Sequence, residues 1–148
     1  MAAEQVVVQL RQEDGYRFVA SYADGAPAIV CDEPPPLGQR AGPSPVQLLA
    51  TAVGNCLSDS LLFAFRKFKQ APEPLASEVV AQVGRNPEGR IRVLGMRVTI
   101  RLGVAAQRLE HLERVLSQFE AFCTVTQSVA PSIPVDVLVH DASGARLK

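Results

Sequence analysis

The sequence carries no excess charge of either sign. Lysine plus arginine number 15 and aspartate plus glutamate 15, so the formal net charge at pH 7 is zero. No basic run breaks this balance, which removes the usual driving force for binding DNA or an anionic membrane surface. No nucleic-acid partner is expected. Any Cys-x-x-Cys pair is also missing, and the two histidines, His111 and His140, lie far apart in the chain. That spacing fits no zinc pattern, so no metal is expected. The first residues lack the basic start and long apolar stretch of a signal peptide, and no segment reads as long enough to span a bilayer. The expectation is a cytoplasmic protein with no membrane partner. Thiols stay reduced there, so Cys31, Cys56 and Cys123 are not a structural disulfide framework. With no internal repeat, and Pro-rich stretches too short to be linkers, residues 1–148 are expected to form one domain.

What is present is a globular composition, 47% hydrophobic and 20% charged. Residues 4–31 read as three short strands in an antiparallel meander: Val6 to Leu10, Tyr16 to Tyr22, and Ala28 to Cys31. Asp14-Gly15 and Asp24-Gly25 are the turn signals between them. Residues 32–44, DEPPPLGQRAGPS, are rich in Pro and Gly and predict an irregular loop. Ser44-Pro45 is a helix start, an N-cap followed by proline at the first helical position. The segment after it is apolar or small on nearly every side through Leu62, then basic at Arg66, Lys67 and Lys69, with Pro72 and Pro74 read as its end. Such a helix is a buried central one. In a chain this short, only a sheet plus a partner subunit would cover it, which predicts a homodimer. Two strands follow, Ser77 to Gly84 and Ile91 to Leu102, around an Asn86-Pro87-Glu88-Gly89 turn. A helix is expected from about Gln107, with Leu109, Leu112, Val115, Leu116 and Phe119 on one face. A short helix begins near Cys123, and Val135 to Val139 alternates as a strand. The order is βββ-α-ββ-α-α-β, an α+β fold.

One cysteine sits in the middle of the apolar helix and another near a helix start, 123 − 56 = 67 residues apart. Taken singly, each reads first as a small buried hydrophobe, the common fate of an unpaired cysteine. Their context is more specific. The run DEPPPLGQRAGPSPVQLLATAVGNCLSDSLL resembles the OsmC/Ohr family, in which an acidic-Pro loop leads through Gly-Pro-Ser-Pro into a long helix. The run FEAFCTVTQSVAPSIPVDVLV resembles that family's second motif, a cysteine opening a short helix before a final strand. The resemblance implies an intertwined homodimer with its central helices sandwiched by sheets. It also implies a thiol peroxidase that reduces organic hydroperoxides or hydrogen peroxide. Cys56 would be the attacking thiol and Cys123 the resolving one, with a dithiol or lipoyl-type reductant and no metal or organic cofactor. Cys31 has no counterpart in the family and reads as core filler.

Two cysteines suit that chemistry. A thiolate attacks the peroxide O–O bond and becomes a sulfenic acid, which a second thiol must capture before further oxidation. That requires Cα atoms within roughly 7 Å. At a helix start, Cys123 would also feel the positive end of the helix dipole. A lowered thiol pKa alone does little. Dropping it from about 8.5 to about 5.5 raises the thiolate fraction ~30-fold, while nucleophilicity falls ~15- to 30-fold. Most of the rate must come from positioning the peroxide and stabilising the leaving alkoxide.

In the family an arginine does this, oriented by a glutamate in the first turn of the central helix. Here the corresponding places hold Val46 and Gln47, so Gln47 is the neutral candidate for the orienting role. Arg17, Arg40 and Arg11 are the candidate arginines, Arg17 foremost. Asp59, three residues beyond Cys56 and on the same helix face, either replaces the glutamate, damps the thiol by raising its pKa, or merely faces solvent. Gly54-Asn55 is costly within a helix, which suggests close packing against a second helix. Two rivals to the peroxidase stand on the same scaffold: a small-molecule binder, and a redox-sensing dimer whose disulfide is the signal.

Overall fold

The structure, a computed structural model, describes residues 2–148. Two compact units divide the chain, Met1–Leu48 and Leu49–Lys148. The first holds a three-stranded antiparallel sheet, β1 (Val8–Asp14), β2 (Arg17–Tyr22) and β3 (Ile29–Cys31), in that order. Gly15 and Gly25 take positive φ at the two turns, as the Asp-Gly signals require. The first strand starts two residues later than its valines suggest and runs on through polar Arg11–Asp14. Its limits follow the ladder to β2, from Val8↔Tyr22 to Asp14↔Arg17, rather than the apolar run. All of β1 is exposed in the single chain.

The Pro-Gly loop is irregular, as its composition predicts, yet well organised. Asp32 is buried, and its carboxylate accepts backbone N–H bonds from Glu33 (2.8 Å), Gln39 (3.1 Å) and Ala41 (3.0 Å). One side chain thereby satisfies three loop N–H groups.

Helix α1 runs over Pro45–Lys67. Its start is a reciprocal cap: Gln47 N–H donates to Ser44 Oγ (3.3 Å), and Ser44 N–H donates to Gln47 Oε1 (2.9 Å). Its end lies five residues before Pro72, because Lys69 turns the backbone left-handed (φ 58°) and Gln70 N–H folds back to Phe65 O. The prolines follow the stop; they do not cause it. At 23 residues α1 is long and apolar enough to span a bilayer, which corrects the expectation that no segment is. Its packing is that of a core helix. Val53, Leu57, Leu61 and Phe65 are fully buried in one cluster with Val98 and Ile100. Full burial of each such side chain contributes about 1.5–3 kcal/mol. The opposite side, Ala52, Asn55, Asp59 and Phe63, is exposed in the single chain.

The second sheet is β4 (Ala76–Arg85), β5 (Ile91–Arg101) and β6 (Val135–His140), in that order. The first two form a hairpin, whereas β6 lies parallel to β5, from Met96↔Val135 to Arg101↔His140. A parallel neighbour requires a crossover, and the helical segment between β5 and β6 supplies it. That segment is more broken than its periodicity suggests. Ala106–Arg108 is a single 3-10 turn, Leu109 is extended, and His111 is left-handed (φ 58°), so α2 begins only at Leu112 and covers Leu112–Gln118. The apolar face survives the interruption, since Val115, Leu116 and Phe119 all enter the core. A 3-10 turn at Phe119–Phe122 leads to Cys123, the N-cap of α3 (Thr124–Val129).

Gly54 packs against strand β4, not a second helix. A Cβ there would stand 2.5 Å from Val79 Cγ2. Beyond β6, Asp141 is buried and accepts from the N–H groups of Ala106, Ser143 and Ala145 and from the Ser143 hydroxyl. These bonds hold its carboxyl at a pKa of about 2, the Ser143 hydroxyl first among the causes.

Candidate active site

The second unit brings Cys56 and Cys123 together. Cys56, half-buried on α1, packs against the core cluster that holds Cys123, and its thiol faces the Cys123 thiol and the Val125 N–H. Cys123 is fully buried, and both cysteines are free thiols. The local reason is the start of α3. A helix leaves its first N–H groups without intrahelical partners. Here sulfur serves one of them, Thr126 N–H bonding Cys123 at 3.4 Å. Cys123 also donates its S–H to Thr126 Oγ1 at 3.1 Å.

Electrostatics act on Cys56 in one net direction. Burial pushes its pKa up, and the Cys123 hydrogen bond and the charge of Asp59 add to the rise, against the lowering contact of Val125 N–H. Asp59 itself is exposed and accepts from Asn55 Nδ2 at 3.2 Å, and among the described residues no arginine pairs with it. Asp59 thus faces solvent in the single chain, and its charge adds last among the causes to the rise of the Cys56 pKa.

Gln47 lies at the α1 start, where its side-chain oxygen accepts from the Ser44 N–H. The pattern Ser44-Pro45-Val46-Gln47 is a capping-box signature, so this was legible in the sequence. The candidate arginines all belong to the first unit. Arg17 Nε stands 3.4 Å from Glu13 Oε2 and makes no hydrogen bond, although it is buried. A cavity of about 170 Å³ there is lined by Arg17 and Asp32 among others. The Asp32 carboxyl lies below its ordinary pKa, chiefly through the Ala41 N–H, with the Arg17 charge contributing. Arg11 is exposed and stands 3.7 Å from Glu13. Arg40 is left-handed (φ 57°), with its N–H on Glu33 O. Cys31 is buried at the end of β3. Sequence reading missed Asp32, Val125 and Thr126. Of these only Thr126 carried a signal, as a polar residue three positions beyond an N-cap. Among the described residues no group of three or more His, Cys, Asp or Glu side chains is placed to hold a metal.

Two three-stranded sheets, a long core helix and a thiol pair at the start of α3 define a mixed α+β protein with paired cysteines. The chain belongs to the OsmC-like protein family, whose model matches residues 38–138. Similar solved structures include an OsmC-like protein of Mycoplasma pneumoniae, at 11% identity and TM-score 0.77, covering 95% of this chain and 99% of that one. Another is an organic hydroperoxide resistance protein OsmC of Legionella pneumophila, at 16% and 0.71, covering 94% and 98%. A third is the organic hydroperoxide resistance protein OhrB of Bacillus subtilis, at 15% and 0.69, covering 93% and 99%. Such identities establish the shared fold. No curated protein matches the sequence.

Proposed function

We propose that this protein is a two-cysteine thiol peroxidase acting on organic hydroperoxides or hydrogen peroxide. The observation that carries the reading is the neighbouring pair of free thiols, Cys56 and Cys123, on the two segments that resemble the family's motifs. The names of the Legionella and Bacillus structures, both organic hydroperoxide resistance proteins, support the peroxide as substrate.

In this reading the Cys56 thiolate attacks the terminal oxygen, the O–O bond breaks, and an alcohol or water leaves. Cys123 then attacks the sulfenic sulfur, releasing water and closing the disulfide. A dithiol, of lipoyl type or otherwise, exchanges with that disulfide and restores both thiols. A homodimer suits the exposed side of α1 and the exposed strand β1, whose apolar residues include Phe63, Val8 and Leu10. An arginine stabilises the leaving alkoxide, and Arg17 is the first candidate.

The upward push on the Cys56 pKa favours a slower enzyme or the redox-sensing alternative. One experiment separates these: consumption of a small organic hydroperoxide with dithiothreitol or dihydrolipoamide as reductant. The peroxidase reading predicts steady turnover by the wild type and none by Cys56→Ser. A Cys56→Ser variant as active as wild type overturns it. Oxidation to the disulfide without sustained turnover selects the sensor.

A further inference from the structure

The inference concerns the second thiol and rests on the two-cysteine reading above. Helix α3 contains three side-chain hydroxyls, and they behave differently. Ser128 Oγ donates to Thr124 O at 2.8 Å, the ordinary back-bond of a helical hydroxyl. Thr126 instead accepts at its Oγ1 from Cys123 Sγ at 3.1 Å, while its own N–H donates to the same sulfur at 3.4 Å. Both residues are buried. In a capping box the residue three places beyond the N-cap normally bonds the N-cap's backbone N–H. Here that N–H is engaged by Glu120 O (3.1 Å), which leaves the threonine hydroxyl for the thiol.

A buried S–H has no water to receive it, so its direction is set by the nearest protein acceptor. With its hydrogen aimed at Thr126, Cys123 turns sulfur lone pairs to its other neighbour, the Cys56 thiol. A nucleophilic sulfur must present a lone pair to the sulfur it attacks. We propose that Thr126 is the proton partner of the resolving thiol: its hydroxyl holds the Cys123 S–H, and its N–H steadies the sulfur as the proton leaves. In the closing step the Cys123 sulfur bonds the Cys56 sulfur and the S–O bond of the sulfenic acid breaks. Hydroxide departs and takes up the Cys123 proton as water. No further oxidant is needed, because the sulfenic acid already carries the oxidising equivalents.

The test loads Cys56 without peroxide. In a Cys31→Ala background, Ellman's reagent converts Cys56 to a mixed disulfide and releases one thionitrobenzoate. Attack by Cys123 then releases a second and leaves the Cys56–Cys123 disulfide. Thr126→Val keeps the shape and the N–H but removes the hydroxyl. It should slow the second release about 3- to 10-fold, the kinetic equivalent of one hydrogen bond, and leave the first unchanged. Thr126→Ser should restore the second release to near the wild-type rate, which separates a hydroxyl effect from a packing effect. Second release at the wild-type rate in Thr126→Val, or a Thr126→Ser variant as slow as Thr126→Val, overturns the proposal. A wild type with no second release overturns both this inference and the two-cysteine reading. Because the reagent is not a peroxide, a failed peroxidase assay leaves the experiment decisive for Thr126.

Discussion

Replacing Gly54 with alanine sets two effects of known sign against each other. Within a helix, alanine is favoured over glycine by about 1 kcal/mol. Against this, the new Cβ would lie 2.5 Å from Val79 Cγ2, where carbon atoms in contact require about 3.5–4.0 Å. Val79 is β-branched, stiff at χ1, and packed on the core from strand β4, so it cannot swing aside. The helix or the strand must move, an overpacking cost of typically 1–3 kcal/mol. Overpacking therefore wins, and Gly54→Ala should destabilise by about 0–2 kcal/mol net. In a Val79→Ala background the obstructing methyl groups are gone, and the same substitution should stabilise by about 1 kcal/mol. Urea unfolding of the four proteins at one protein concentration measures both values and their coupling. If Gly54→Ala has the same effect in both backgrounds, the contact with Val79 is not what makes glycine necessary.

Asp59→Asn removes a charge that raises the Cys56 pKa, so alkylation of Cys56 by iodoacetamide at pH 7 should quicken, and its pH profile should move to lower pH. An unchanged profile refutes the assignment. Asp141 has a folded pKa of about 2, below its ordinary value of 3.8. Its contribution to stability is therefore complete above about pH 4 and is lost as the pH falls towards 2. Asp141→Asn should lower the urea midpoint at pH 7 and bring it closer to wild type at pH 3, whereas an equal deficit at both pH values refutes the ionised role. Sedimentation at micromolar concentration should give about twice the 15.9 kDa chain mass, and a folded monomer would contradict the dimer.

Much of this architecture is legible in the sequence because its signals are local. Asp-Gly turns, Ser44-Pro45 and the period of α1 each depend on a few adjacent residues, and the elements stand close to where they point. The failures have a common source. The limits of β1 depend on the partner strand, the break before α2 on a left-handed His111, and the need for Gly54 on Val79, 25 residues away. None of these is written in a local period. The two motif cysteines were readable through their surroundings, but their electrostatics were not. Whether a buried thiol is raised or lowered depends on which N–H groups and carboxylates face it, and the helix-start rule speaks only to the dipole. Gln47 shows the reverse case. Its capping role is local, written in Ser44-Pro45-Val46-Gln47 itself.

The central claim is that Cys56 and Cys123 act as one redox pair. Peptide mapping by mass spectrometry, after one equivalent of an organic hydroperoxide and rapid alkylation, tests it most directly. The account predicts a Cys56–Cys123 disulfide with Cys31 still alkylated, and sulfenic or sulfinic acid at Cys56 when Cys123 is replaced by serine. A disulfide that includes Cys31, or full alkylation of Cys56 and Cys123 after the peroxide has been consumed, would contradict it.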